Sequence, residues 1–323
     1  MSVDEVTVTA TEGLPDPSGL ATGGQRKQPK PHHRIATFVV VVMSILWALP
    51  VLGFFITSLR SKAAADNTGW WTVFVHPSLT FSNYINVLFH GGANIQGGGL
   101  FPYAMNSLAI AIPATIIPII VASMAAYSLS WVRFKSADTV YFIIFGLQVV
   151  PLQMSLVPLL QLYSHGAHIG GFLIFPNLNL HGSIAEVWIS HTMFSLPLAV
   201  FLLYNFIAQL PNELIEAARV DGAGYLYIYR RVVMPLSLPA IASFTIFQFL
   251  WVWNDLLIGL TFSAKNASAQ PLTVQLQQLS GTFGSHLDLL TAGGFVSIII
   301  PMIVFFSLQR YFVRGLLAGS VKG

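Results

Sequence analysis

The chain contains no cysteine, which excludes disulfides, thiolate nucleophiles and cysteine-bound metals. Charge is scarce as well: 8% of the 323 residues are Asp, Glu, Lys or Arg, against roughly 25% in a soluble domain. The nine histidines show no HExxH or other compact metal-ligand spacing, and no GxxxxGK[ST] phosphate loop is present. No nucleophile, base and orienter constellation emerges, so an enzymatic reading has no anchor. No internal repeat is visible. The net charge of +3 gives no nucleic-acid surface, because the basic residues flank apolar runs and form no continuous patch.

What the chain has in abundance is apolar surface. Hydrophobic residues make up 54% of it and the mean hydropathy is +0.70, the composition of an all-α integral membrane protein surrounded by lipid. Six apolar runs reach the length of roughly 20 residues that a helix needs to cross a bilayer core. They are Ile35 to Leu59, Leu108 to Leu129, Thr139 to Leu162, Ile184 to Ile207, Leu238 to Thr261 and Thr291 to Gln309. The third contains Gln148, Gln153 and Gln161 and is a candidate for a broken or cavity-lining span.

Orientation follows from the distribution of the 15 basic residues. All but Arg60, Lys62 and Lys265 fall in the tails and alternate loops on one side, which predicts that both termini are cytoplasmic. Residues 1–30 are polar and rich in Gly, Pro and Thr, and are expected to form a disordered cytoplasmic tail. The rest, 31–323, reads as a transmembrane domain whose first run is retained as a span and not cleaved as a signal peptide. Trp70 and Trp71, after the first span, suit an interfacial belt.

One cytoplasmic segment, 208–237, is unlike a simple connector. In it, LPNELIEAARVDGAGYLYIYRRVVMP predicts a short amphipathic helix that starts after Pro211 and ends or bends at Gly222 and Gly224. Glu216-Ala217-Ala218, three residues, Gly222, nine residues, then Val232-Val233-Met234-Pro235 closely resembles the EAA loop of bacterial ABC importer permeases. HTMFSLPLAVFLLYNF at His191, QFLWVWNDLL at Gln248 and the terminal QRYFVRGLLAGSVKG are similar to the carbohydrate-type subfamily, specifically the second permease subunit of maltose-type, binding-protein-dependent transporters. The resemblance runs from the first span to the last residue.

That resemblance implies a six-helix ABC type I importer permease fold in the bacterial inner membrane. It implies a heterodimer with a second, related permease, a cytoplasmic ATPase dimer that uses ATP and Mg, and an extracytoplasmic sugar-binding protein. This chain itself would bind no cofactor. It also implies that Glu216, Ala217, Ala218 and Gly222 form the contact with the ATPase: a charged anchor, a close-packing alanine face and a turn. The loop at 263–290, with Gly281 and Gly284, resembles the segment presented to the docked binding protein.

Polar groups within spans are costly and mark functional positions. In the fifth run Gln248, Trp251 and Asp255 fall at i, i+3 and i+7, predicting one helical face with an amide, an aromatic plane and a carboxylate, and Asn254 beside it. Those groups suit a sugar, and equally suit hydrogen bonds to a partner permease; both readings stay open. Gln148 and Gln153 flank Pro151, which predicts a kink lining a cavity. Glu186 and His191 are weaker candidates: Glu186 is expected to lie within reach of water at the outer end, and His191 has an interhelical alternative. A solute such as a polyol or glycerophosphodiester is an alternative to a sugar, and a secondary transporter is the reading from another class.

Overall fold

The computed structural model describes residues 33–90, 98–132, 134–280 and 286–320. The expected tail, 1–30, lies outside these residues, as do Gly281 and Gly284. The main helices are α1 (His33–Ser58), α2 (Phe101–Tyr127), α3 (Ala137–Leu147), α4 (Leu152–His165), α5 (Ile184–Ile207), α6 (Asn212–Val220), α7 (Leu238–Asn254), α8 (Leu257–Phe262), α9 (Leu272–Ser280) and α10 (Leu287–Ser320). One compact unit ends at Pro50, within α1, and a second begins at Val51. The first contributes a continuous apolar helical segment to the described residues; all that follows concerns the second.

Four helices, α1, α2, α5 and α10, are long and apolar enough to cross a membrane unbroken among the described residues, and two further pairs, α3 with α4 and the helical stretch Tyr225–Leu236 with α7, bend by 100° and 72°, which makes six spans if each pair is one. The third run is divided at 148–151 into α3 and α4, which meet at 100°. Pro151 lacks the N–H a continuing helix would need, and its ring forces the preceding residue out of the helical region. The fifth run departs from expectation: α7 stops at Asn254, Asp255 is extended (φ −69°, ψ 134°), and α8 resumes from Leu257. The fold is helical as expected, with one small addition: β1 (Ala167–Ile169) and β2 (Phe172–Phe175) pair antiparallel. Their turn is Gly170-Gly171, both at positive φ, the conformation a tight hairpin requires.

Two buried apolar clusters lie along α2. The first joins Tyr103 to Ala114 of α2 with Leu156 and Tyr163 of α4, Val187 of α5, Phe249 to Trp253 of α7, and α8 to α10. The second joins Ile119 to Leu129 with Ala199 to Ile207 of α5, Ile215 of α6 and Phe244 of α7. Helices α2 and α5 therefore run parallel, with α7 antiparallel to both. The end of α7 and the surface helix α6 consequently occupy opposite ends of the packed bundle.

Prolines inside spans leave carbonyls four residues earlier without a donor, which is costly where no water can replace it. Pro118 in α2 deprives Ala114, and Pro301 in α10 deprives Ser297. Both carbonyls are supplied from α7: Gln248 Nε2 donates to Ala114 O at 2.9 Å and Trp253 Nε1 to Ser297 O at 3.0 Å. Gln248 is 1% exposed, so its amide belongs to this contact and not to an open face. Replacing Gln248 with Leu should lower the stability of the purified protein by about 1 kcal/mol. Adding Pro118→Ala, which restores a backbone donor to Ala114, should recover most of that loss in thermal unfolding. Strictly additive effects of the two substitutions would refute the pairing.

Candidate functional site

The surface helix α6 is held by one apolar anchor and one cation. Ile215 is fully buried in the second cluster, with Ala218 packed partly against it. Arg219 Nη2 donates to Trp131 O at 2.9 Å, and its guanidinium lies 5.9 Å from the centre of the Tyr225 ring. Trp131 in turn donates through Nε1 to Ile207 O at 3.0 Å, tying together the segments that end α2 and α5. The helix is terminated by two bonds, Gly222 N–H to Arg219 O and Ala223 N–H to Ala218 O, both 3.0 Å. This is a Schellman closure, which needs a left-handed residue just past the helix, and Gly222 has φ +78°.

Glu216 and Ala217 point outward and are exposed, as is Gly222, and a Cβ at Gly222 would meet no atom of this chain within 4 Å. Ala218 does not share that surface: it is half-buried against its own subunit, so the expected close-packing alanine face reduces to Ala217. Sequence reasoning placed Val220 on the helix without giving it a role. It is 87% exposed, and Leu214, Tyr225, Leu226 and Tyr227 are exposed in the same segment. Large apolar side chains gathered at a surface mark a contact with a partner or with the membrane.

At the other end of the bundle the expected polar face of α7 is rearranged. Asp255 is not on the helix; its Oδ2 accepts from Ile258 N at 2.8 Å and Gly259 N at 3.3 Å, capping the first turn of α8. Its backbone carbonyl accepts from Thr273 Oγ1 at 2.6 Å. The same Oδ2 faces His191 Nε2 at 3.5 Å. His191 Nδ1 bonds Val187 O at 2.9 Å, which fixes the ring plane. The Trp251 ring stands edge-on to the imidazole, with centroids 5.4 Å apart. Trp251, Asp255 and His191 therefore form one cluster where α7 breaks. Asn254 beside it is exposed, its amide donating to Leu250 O at 2.8 Å.

The remaining candidates separate. Gln148 lines a cavity of about 830 Å³ between the α3–α4 elbow and α5, with Pro151, Ser155, Met193 and Pro197 among its walls. Its amide donates to Pro197 O at 3.2 Å. Gln153 is exposed and does not line this cavity. Glu186 does not reach water as expected: it is fully buried, Oε2 accepts from Gly182 N at 2.7 Å, and its own N–H donates to Ser183 Oγ at 3.2 Å. These bonds make it part of the N-terminal cap of α5. In the loop after α8, Gln270 and Gln275 are buried and bonded to each other at 2.6 Å, leaving Gln277 and Gln278 exposed.

A family model described as the binding-protein-dependent transport system inner membrane component matches residues 26–318. The osmoprotective compounds uptake permease protein GgtD of Synechocystis sp. is 46% identical over 88% of this chain and 90% of its own length. The alpha-glucoside transport system permease protein AglG of Rhizobium meliloti is 44% identical over 83% of this chain and 67% of its own length. Among solved structures, a chain of a bacterial ABC transporter involved in the import of the acidic polysaccharide alginate superposes with a TM-score of 0.67. It is 21% identical and covers 88% of this chain and 99% of its own, which shows a shared fold.

The geometry at Gly222 makes a graded prediction. Since only the backbone conformation is demanding, Gly222→Asn should be tolerated, whereas Gly222→Val should destabilise the closure by about 1–2 kcal/mol. Hydrogen exchange at the Ala223 amide should accelerate in the Val variant and stay near wild type in the Asn variant. Equal protection in both would show that the closure does not depend on this residue.

Proposed function

This chain belongs to the family of binding-protein-dependent transport system inner membrane components, and on that premise we propose that it forms half of the translocation path for a glucoside or a glucoside-like osmoprotectant. It is the non-catalytic permease component of an ABC importer. The proposed complex adds a second, homologous permease, an extracytoplasmic solute-binding protein and a cytoplasmic ATPase dimer that uses ATP and Mg. In this reading both termini and α6 face the cytoplasm.

The observation that carries the solute assignment is the cluster at the break of α7. An aromatic plane (Trp251), an imidazole nitrogen (His191 Nε2) and a carboxylate (Asp255) converge where the span loses its helix. Irregular backbone at membrane depth is tolerated where it is buried in protein or lines a watery passage, and discontinuous helices are where transporters bind their cargo. An aromatic face covers the apolar C–H side of a sugar ring and the carboxylate accepts its hydroxyl protons, while the buried His191 orients that carboxylate from behind. The names of the two relatives, one for α-glucosides and one for osmoprotective compounds, support the same solute chemistry.

Coupling is assigned to the outward surface of α6. Glu216, Ala217 and Gly222, together with the exposed Val220, would seat in the ATPase, while Ile215 and Arg219 carry the displacement into α2 and α5. Ala218 supports this surface from beneath. Gln148 borders the path on the α3–α4 side and the exposed Asn254 lies within it beside Asp255; Gln153 and Glu186 are assigned no direct contact with the ring.

Uptake by the assembled transporter in proteoliposomes tests the solute site. Trp251→Ala should raise the KM for an α-glucoside about five- to tenfold, while binding-protein-stimulated ATPase activity persists. Asp255→Asn, which keeps an acceptor for the α8 amides, should impair uptake without loss of inserted protein. Wild-type uptake kinetics in both variants would remove this cluster from the path.

A further inference from the structure

The segment after α1 holds a buried cation that nothing in the transport mechanism uses. Arg60 is 3% exposed, yet no carboxylate pairs with it among the described residues. Its Nη1 donates to Thr68 O at 3.0 Å, and its Nη2 donates to Thr72 Oγ1 at 3.0 Å and to Thr68 Oγ1. All these partners are neutral. A buried guanidinium ordinarily requires a counter-charge, and none of these partners supplies one.

The position is built with care. Asn83 Nδ2 donates to both Ser58 O at 2.9 Å and Arg60 O at 2.7 Å, and Arg60 bridges Leu79 across the chain. These contacts fix the guanidinium in the wall of a cavity of about 480 Å³, lined also by Thr68, Thr72, His76 and Ser78. Thr68 and Thr72 spend their hydroxyl protons on Ala64 O and Gly69 O and only accept from Arg60, so the donors left for a phosphate oxygen cluster are the guanidinium, the Ser78 hydroxyl and the His76 imidazole.

The surroundings say which phosphate. The 3-10 helix Trp70–Phe74 folds back along the last turns of α1, where Gly53 admits the Trp70 indole: a Cβ there would lie 2.7 Å from Nε1. Val75, which lines the cavity, is largely exposed, as are Trp71, Phe74 and Phe81 of the same segment. Exposed aromatic and apolar side chains at the end of a membrane span mark the level of the lipid headgroups. A basic pocket at that level meets lipid phosphates.

We propose that Arg60, held by Thr68 and Thr72 and joined by His76 and Ser78, binds the phosphate of a membrane phospholipid, whose acyl chains lie against the exposed apolar side chains of this segment. The lipid supplies the missing counter-charge and locks the segment from Leu59 to Tyr84 to the end of the first span.

Native mass spectrometry of the detergent-purified transporter, exchanged into phosphatidylglycerol, tests this. The wild-type complex should retain a phospholipid through delipidation. Retention should fall about tenfold in Arg60→Gln, the loss expected of one charge-assisted contact, and be partly restored in Arg60→Lys. His76→Ala and Ser78→Ala, which leave every bond of Arg60 intact, should each lower retention severalfold, so the result does not depend on Arg60→Gln folding. Inorganic phosphate in the buffer should not displace the lipid. Equal retention in all variants overturns the proposal, and so does a site that binds inorganic phosphate while holding no lipid.

Discussion

Within lipid, every backbone carbonyl must find a donor in the protein, and α7 supplies side-chain donors to two of the carbonyls that the prolines inside the helices leave unpaired. Pro118 and Pro301 remove the donors for Ala114 in α2 and Ser297 in α10, and α7 replaces both with Gln248 and Trp253. These residues are five apart, which turns their side chains roughly 140° around the helix. One helix can therefore serve two neighbours on different sides. Helices α2 and α10 are thereby pinned to a common partner.

That pinning determines where α7 ends and what stands beside its end. Trp253 is fixed to α10 immediately before Asn254, after which the chain leaves the helix and Asp255 caps α8. The capping carboxylate is thus held rigidly beside His191 of α5 and the Trp251 ring. A group used for local repair also furnishes a preorganised polar site, at no extra cost in side-chain freedom. At the opposite end, Ile215 and Arg219 secure α6 to the same pair of parallel helices, α2 and α5. The same helix α5 carries His191, at its other end, to the polar break.

Much of this was legible in the chain. Apolar run lengths gave the spans, Pro151 marked the elbow between α3 and α4, and EAA followed by Gly222 marked a helix with a left-handed stop. The hairpin at 167–175 had a signal as well, a Gly-Gly pair between short apolar runs, which the search for spans passed over. Other features are tertiary by nature. The role of Gln248 depends on which carbonyl lies opposite, and helical periodicity alone assigned it to a face with Asp255 that does not exist, because the helix stops first. Glu186 looked accessible by its place near a span end; its burial depends on the turn at Gly182 folding over it. Arg60 counted as an orienting charge near a membrane surface, whereas its interior position follows from Asn83 and the threonines of a loop without periodicity.

The central claim is that the break between α7 and α8 lies on the solute path and is not merely a packing defect. Because the chain has no native cysteine, a single Asn254→Cys substitution in the assembled transporter permits a direct measurement of reaction with a hydrophilic thiol reagent. The account predicts that this cysteine reacts, that saturating transported solute slows the reaction, and that a cysteine at the buried Gln248 position does not react. An Asn254→Cys thiol that stays unreactive throughout the ATP cycle, or reacts at the same rate with and without solute, would contradict it.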